Sequence, residues 1–374
     1  MNAVVTLLLL VSVPLALKKI ENTALVKVIS PVALAYLAGI LLSFLPFKLP
    51  IPLVQEVSGI SIALSISLLV LDSHLDRFRT LLKPALKSFF LGIASLFIVT
   101  LIVWFTYGKK VAFGADIMGM LTGIYVGGTP NMNAIGLALG VPNETIVILN
   151  TADIVFGGIY FLLLLTVIKP FLSLFLRNYV PLGISFENKE TDKIQPNLTI
   201  KIKNIALNFF WAGSALGLSF LFVSLLFDKM NVPFFLISLT TFSFLLAQWN
   251  PVKKTLLKFD TADYLLLVFS FGIGCQIDLE KFFSEGSGVY LLTVSVFLGT
   301  ILLHYLLAYF TKTDVDTLII SSTAALYGPA FIAPIAKAIG NRELIIYGIT
   351  LGLFGYILGN YLGLAVAGFL EYLL

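Results

Sequence analysis

Apolar segments long enough to cross a lipid bilayer recur from one end of this 374-residue chain to the other. A spanning helix needs about 20 predominantly apolar residues. Here 59% of the residues are hydrophobic and 12% are charged, whereas soluble domains carry roughly twice that charged fraction. The chain lacks the alternating ten-residue segments of an outer-membrane barrel. The sequence therefore predicts an all-α polytopic membrane protein, with the lipid bilayer as its surroundings.

Ten predicted spans are continuous, and two further segments are interrupted by helix-breaking residues. The first broken segment, 115–140, contains two glycines, a proline and two asparagines within 127–133. The second, 315–339, contains Gly328 followed by Pro329. The continuous spans are predicted at 1–17, 31–45, 53–71, 84–107, 145–168, 204–227, 232–249, 262–277, 287–310 and 344–370.

A charged linker at 177–203 divides the chain into two halves, 1–176 and 204–374. The halves match in the order of their predicted elements and at several positions. The matches pair Gly128 with Gly328, Gly140 with Gly340, and Phe156-Gly157 with Phe354-Gly355. This pattern predicts an internal repeat.

The loop charges indicate how the repeat lies in the membrane. If both broken segments enter and leave on one side, most Lys and Arg residues share one face, in the loops 18–27, 72–87, 169–203 and 249–259. Basic loops favour the cytoplasmic side. We therefore expect an inverted repeat with two re-entrant segments, a cytoplasmic linker, and both termini outside.

Several function classes lack the residues they require. The single Cys275 excludes a disulfide framework and a thiolate metal site, and no ATP-binding phosphate loop is present. A net charge of +4 reflects the loop bias rather than nucleic-acid binding. We expect no cofactor other than a coupling ion and no nucleic-acid partner.

The two breaks are the predicted substrate site. Backbone groups freed at a break persist in a membrane only where protein or a water-filled cavity covers them, and in secondary transporters they form the midplane binding site. Alternatively, the glycines let helices pack closely and the hydroxyls bond their own backbones. The predicted contacts are Gly127, Gly128, Thr129, Pro130, Asn131, Asn133, Ser321, Ser322, Thr323, Tyr327 and Gly328.

Asp153 is the predicted ion-coupling residue because it lies inside a span. An ionised carboxylate at that depth costs ~2.5 kcal/mol or more, so it is expected to meet a cation, with Na⁺ a possible ligand; a structural capping role is the alternative. Asn150 lies one turn earlier on the same helix face, and Gln276 and Asn360 are further candidates. No second acid is evident at this depth, so we expect no enzymatic activity.

These motifs resemble a bacterial integral-membrane family catalogued as domain of unknown function 819. The resemblance rests on GGTPN at 127–131, AALYGPA at 324–330 and GLFGYILGNYLG at 352–363. More distantly, the chain is similar to the sodium:glutamate, 2-hydroxycarboxylate and bile acid:sodium symporters. The resemblance implies a bacterial cytoplasmic (inner) membrane protein, a homodimer, a scaffold domain, a mobile core with two broken elements, and coupling to Na⁺.

The expected function is that of an ion-coupled secondary transporter, most simply a Na⁺ symporter of a small organic anion or amino acid. Two helix breaks with exposed amides suit a carboxylate, and no Arg lies inside a span to serve instead. The alternatives are a transporter or exporter coupled to H⁺ through Asp153, a channel, and a membrane receptor of the same fold that does not transport.

Overall fold

The computed structural model describes residues 2–20, 31–44, 49–71, 78–181, 198–228, 230–277 and 287–373, and within these ranges all regular structure is helical. Three short 3₁₀ helices cover Gly108–Lys110, Pro329–Phe331 and Arg342–Leu344. The α-helices are α1 (Ala3–Lys19), α2 (Pro31–Ser43), α3 (Ile51–Leu71), α4 (Phe78–Thr106), α5 (Gly114–Gly127), α6 (Thr129–Ala138), α7 (Asn143–Thr166), α8 (Ile168–Leu172), α9 (Leu198–Leu226), α10 (Val232–Ala247), α11 (Asn250–Lys253), α12 (Lys258–Gly274), α13 (Ser287–Phe310), α14 (Val315–Tyr327), α15 (Ile332–Ala338) and α16 (Ile345–Tyr372).

Six of the described helices are long and apolar enough to cross a membrane: α3, α4, α7, α9, α13 and α16. Helices α2, α10 and α14 are apolar but shorter. Large apolar side chains are exposed on several of these helices, for example Leu225 and Leu302, as expected where lipid replaces water around the protein. The prediction of an all-α polytopic membrane protein is confirmed, whereas the count of ten spans stays a prediction.

The chain folds into two compact units, and each unit draws on both halves of the sequence. The first unit comprises residues 1–77 and 180–276, and the second comprises 78–179 and 277–374. The predicted division into 1–176, 177–203 and 204–374 follows chain order and stays a prediction. The middle of the predicted linker, 182–197, lies outside the described residues.

The first unit is held together by close helix contacts through small residues. A Cβ at Gly39 of α2 would meet the backbone of α12 at Phe271 and Cys275, so the two helices touch backbone to backbone. The Ser65 hydroxyl of α3 donates to the Ala262 carbonyl at 3.2 Å. Small residues and hydroxyl bonds of this kind are typical of helices that associate in membranes.

The second unit contains the same succession of elements twice. A long helix, α4 or α13, is followed by two short helices in a row and then by another long helix, α7 or α16. We call α5 and α6 hairpin one, and α14, Pro329–Phe331 and α15 hairpin two.

The two arms of hairpin one fold back on each other. A Cβ at Gly127 would lie 2.6 Å from Asn131 Oδ1, and a Cβ at Gly136 would lie 2.8 Å from Met120 Cε. The end of α5 therefore lies near the start of α6, and the middle of α5 lies near the end of α6. The two helices are antiparallel. The inner arm α5, with 14 residues, is about 21 Å long at 1.5 Å per residue, less than the roughly 30 Å of a bilayer core.

Hairpin two also returns to the end from which it starts. Asn341, just after α15, donates its side-chain amide to Asp316 Oδ2 in the first turn of α14 at 2.9 Å. Each predicted broken segment is thus a helical hairpin in the structure.

Candidate functional site

The turns at the tips of the two hairpins have nearly the same backbone conformation. Gly128 has φ 94° and ψ 178°, and Gly328 has φ 75° and ψ −172°. Positive φ with extended ψ is open essentially to glycine alone. Each tip continues into a helix through a proline, Pro130 or Pro329, whose missing N–H would have had no helical partner there.

Tyr356 of α16 lies against both tips. A Cβ at Gly128 would be 3.3 Å from Tyr356 Cε1, and a Cβ at Gly328 would be 3.2 Å from its hydroxyl. The carbonyl of Tyr327 lies 3.9 Å from the same Cβ position at Gly128. The structure therefore brings the two predicted breaks together around a residue that was not predicted, although Tyr356 lies within the third motif of the family resemblance.

Asn131 ties the tip of hairpin one to α16. Its side-chain amide donates to the Tyr356 carbonyl at 2.9 Å and to Asn360 Oδ1 at 3.0 Å, and the side chain is 1% exposed. Two predicted site residues, Asn131 and Asn360, are thus hydrogen-bonded to each other. The bond fixes the first turn of α6 relative to α16.

This contact is possible because α5 and α16 meet through glycines spaced four residues apart. A Cβ at Gly127 would lie 2.6 Å from the Gly355 carbonyl, and a Cβ at Gly119 would lie 2.7 Å from the Gly363 carbonyl. Distances below 3 Å leave no room for a side chain. Helices of this kind pack backbone to backbone in membranes.

Asp153 is half-buried on α7, beside the tip of hairpin two. Gly157, one turn later, accepts a hydrogen bond from the Tyr327 hydroxyl at 2.7 Å through its carbonyl. The Asp153 carboxylate is an electrostatic neighbour of the Tyr125 phenol. A Cβ at Gly157 would lie 3.9 Å from Asp153 Oδ1 and 3.3 Å from Tyr327 Cε1, so the carboxylate borders the segment of α7 that Tyr327 contacts.

An aromatic cluster joins α7, α13, α5 and hairpin two. Tyr160 of α7 lies parallel to Tyr327 with ring centroids 6.4 Å apart, and its hydroxyl contacts that of Tyr305. Phe297 packs against both Tyr125 and Tyr160. Sequence reasoning missed Tyr125, Tyr160 and Tyr305, because tyrosines within apolar spans carry no local signal that separates them from packing residues.

Asn150, which was predicted to share a helix face with Asp153, is hydrogen-bonded to helix α6 of hairpin one. Its amide donates to Asn133 Oδ1 at 2.9 Å and to the Ile146 carbonyl at 2.8 Å. Thr129 at the same tip is exposed. Asn133 of the predicted first break and Asn150 of the predicted ion-coupling group are therefore hydrogen-bonded to each other.

The predicted hydroxyls before the second break bond mainly to their own helix. Ser322 and Thr323 donate to the Ile319 carbonyl at 3.0 and 2.7 Å, as the packing alternative described. Ser321 donates to Ser88 at 2.6 Å, and His304 contacts the Ser88 carbonyl at 2.8 Å. Ser322 is also a hydrogen-bonding neighbour of Tyr160, and a substrate role for these hydroxyls stays a prediction.

Gln276, the remaining predicted ion-coupling residue, belongs to the first unit. Its side-chain amide donates to the Gly272 carbonyl of α12 at 3.1 Å. Asp153 belongs to the second unit, and the assignment of Gln276 to ion coupling stays a prediction.

The base of hairpin two is fastened to the chain that follows α7. Lys169 forms an ion pair with Asp316 at 2.9 Å and donates to the Ile339 carbonyl at 2.6 Å. Tyr179 donates to Glu343 Oε2 at 2.8 Å, and burial together with this carboxylate raises the pKa of Tyr179 above its ordinary value. One lysine thus joins the two ends of the hairpin.

The described residues contain no group of three or more His, Cys, Asp or Glu side chains that could hold a metal ion. A cation at Asp153 would be ligated by one carboxylate together with neutral oxygens of hydroxyl or carbonyl groups. Such a set suits a hard cation of low charge better than a transition metal.

Comparison with known proteins supports the membrane assignment. The chain is 20% identical over 333 residues, 83% of its length and 82% of the relative's, to the "Uncharacterized membrane protein YjcL" of Bacillus subtilis (strain 168). Apolar helices and this relative agree that the protein is a multi-pass membrane protein. The family described as "Protein of unknown function (DUF819)" matches residues 4–373, and the chain therefore belongs to this family.

Proposed function

We propose that the protein is an ion-coupled secondary transporter whose site lies where the two hairpin tips meet. The observation that carries this proposal is the convergence of Gly128 and Gly328 on Tyr356, with the carboxylate of Asp153 one helical turn from Gly157, which Tyr327 contacts. Helix breaks are tolerated at membrane depth when they line a cavity, and in transporters they bind substrate and ion.

The coupling ion in this proposal is Na⁺, bound by Asp153. Hydroxyl and carbonyl oxygens are abundant near the tips, and unwound carbonyls coordinate Na⁺ in other transporters. The second candidate is H⁺ carried by the same carboxylate. Both ions would act through Asp153, so a variant of this residue cannot distinguish them. The two candidates are distinguished by whether a Na⁺ gradient or a pH gradient drives transport.

The proposed substrate is a small organic anion or an amino acid. Helix α6 starts at the tip of hairpin one, where the positive end of its dipole attracts a carboxylate, and Thr129 at this end is exposed. An exporter could bind its substrate at the same hairpin tip. A channel or a non-transporting receptor of this fold would show no ion-coupled flux.

The proposed topology is an inverted repeat of ten spans, with the hairpins entering the membrane from opposite sides. Support comes from the repeated element order in the second unit and from the equivalent left-handed glycines Gly128 and Gly328, Gly140 and Gly340. Loop charge places the central linker in the cytoplasm and the termini outside. We further propose a homodimer in a bacterial inner membrane, without enzymatic activity or a cofactor.

The test is uptake into proteoliposomes, with labelled carboxylic acids and amino acids presented under an imposed Na⁺ gradient or an imposed pH gradient. The proposal predicts saturable uptake of one class, driven by the Na⁺ gradient and lost in Asp153→Asn. Asp260→Asn, at a carboxylate that is 63% exposed in the first unit, is the matched control and should transport normally. Uptake that does not saturate would indicate a channel, and no uptake under either gradient would overturn transport.

A further inference from the structure

The second unit has a surface cavity apart from the hairpin tips. Helices α4, α5 and α16 enclose an apolar groove of about 220 Å³. It is lined by Leu96 and Phe97 of α4, Thr122 of α5, and Ala365 and Phe369 of α16, among others. The volume corresponds to about seven groups the size of water, enough for a length of acyl chain but not for a whole lipid.

The groove begins close to the C-terminal ends of α4 and α16 and extends along these helices over a depth that an acyl chain can occupy. The ends of α4 and α16 lie together, because Lys109 Nζ, just after α4, reaches the Leu373 carbonyl at 3.4 Å. At 1.5 Å per residue, Phe369 lies about 5 Å and Phe97 about 14 Å below these ends. A lipid chain in the groove would therefore place its headgroup beside Lys109.

Charges of both signs flank this end of the groove. Lys109 and Lys110 are exposed, and Lys109 Nζ lies 4.8 Å above the Phe105 ring. Two carboxylates are nearby: Glu371, exposed in the last turn of α16, interacts electrostatically with Asp116 in the first turn of α5. The lysines suit a phosphate, whereas the pair of like-charged carboxylates would be stabilised by a cation that can donate hydrogen bonds.

We propose that the groove binds a phospholipid whose headgroup carries both a phosphate and a primary ammonium group, as in phosphatidylethanolamine. One acyl chain fills the groove against Thr122 and Ala365, the phosphate lies at Lys109 and Lys110, and the ammonium group lies between Asp116 and Glu371. A choline headgroup has no N–H to donate, and a glycerol headgroup has no positive charge.

Native mass spectrometry of the delipidated full-length protein tests this proposal, with ethanolamine, choline and glycerol phospholipids of identical acyl chains. Charged hydrogen bonds to the ammonium group should make the first lipid bind about tenfold more tightly than either of the others. Equal affinity for the three lipids would overturn the headgroup assignment.

Two variants separate the acyl chain from the headgroup. Ala365→Phe fills the groove from an exposed position and should lower the affinity for all three lipids, whereas Leu225→Phe on α9, 83% exposed, should not. Glu371→Gln should lower the affinity for the ethanolamine lipid more than the affinity for the choline lipid, and so reduce the preference between them. The proposal is wrong if Ala365→Phe binds the ethanolamine lipid as the unchanged protein does, or if Glu371→Gln keeps the full preference.

Discussion

Hairpins one and two share a backbone but are held in place in different ways. Both reverse direction at a glycine of positive φ, Gly128 or Gly328. Hairpin one is fastened at its tip, where Asn131 bonds α16. Hairpin two is held at its tip by Tyr327, whose hydroxyl donates to the Gly157 carbonyl of α7, and also at its base, where Lys169 joins Asp316 and Ile339. A repeated fold therefore needs only the reversal to be the same, and the side chains around each reversal can make the site asymmetric.

The inner arms differ in the same way. Helix α5 touches α16 through its glycines, whereas α14 carries Ser322 and Thr323, whose hydroxyls donate to carbonyls of α14 itself. Hairpin one therefore meets α16 backbone to backbone along its inner arm α5, whereas hairpin two meets α16 at its tip, where a Cβ at Gly352 would lie 2.6 Å from the Pro329 nitrogen.

The largest expected effect comes from separating α5 from α16. A Cβ at Gly355 would press on the Val126 carbonyl, and backbone atoms cannot move aside as side chains do. Gly355→Val should lower the free energy of unfolding by about 3 kcal/mol or more, measured by thermal unfolding in detergent. Gly368→Val on the same helix, with nothing within 4 Å of its Cβ, is the matched control; equal losses in the two variants would show that close contact does not hold hairpin one.

A smaller loss is expected at the base of hairpin two. Lys169→Met leaves the buried Asp316 carboxylate, 6% exposed, without its cation, and should cost about 2 to 3 kcal/mol. Asp316→Asn should cost less, because Lys169 is 35% exposed and can be hydrated. Lys201→Met, at an exposed lysine, is the control for loss of a positive charge. If thermal unfolding shows a larger loss of stability in Asp316→Asn than in Lys169→Met, the assigned role of Lys169 at the base is wrong.

The tips should respond alike, because their backbone conformations are alike. Gly128→Ala and Gly328→Ala each force a side chain into a region that only glycine adopts readily, at a cost of about 1 to 3 kcal/mol. Gly213→Ala, in an open position on α9, should instead be neutral or slightly stabilising. A tip that tolerates alanine in thermal unfolding would break the equivalence of the two reversals.

The smallest effects should come from the polar side chains near the tips. Asn131→Ala removes two hydrogen bonds from a buried position and should cost about 1 to 2 kcal/mol, whereas Ser322→Ala removes a bond within one helix and should cost about 0.5 kcal/mol. In both variants the rate of uptake into proteoliposomes should fall by more than the small loss of folded protein explains. Intact uptake in both would remove these side chains from the proposed site.

The hairpins could be predicted because glycine and proline break helices locally. The predicted broken segment 115–140, with its break within 127–133, compares with α5 and α6 at Gly114–Gly127 and Thr129–Ala138. The spacing of Gly119, Gly123 and Gly127 was a readable signal for close helix contact. In each case the information lies within one segment of chain.

Pairings across long separations could not be predicted. Lys169 and Asp316 are 147 residues apart, and Asn131 and Asn360 are 229 apart. Tyr356 looks like any other aromatic residue of an apolar span until both hairpins are in place. Whether a serine bonds its own helix or faces the site depends on its rotamer, which the sequence does not specify.

Binding of the coupling cation at Asp153 is tested by the melting temperature of the purified protein in NaCl and in KCl of equal ionic strength. Equal ionic strength removes general screening effects, and a bound ion raises the melting temperature by mass action. The proposal predicts a higher melting temperature in NaCl for the unchanged protein and for Asp260→Asn, and no difference between the salts for Asp153→Asn. A sodium effect of the same size in Asp153→Asn would contradict it.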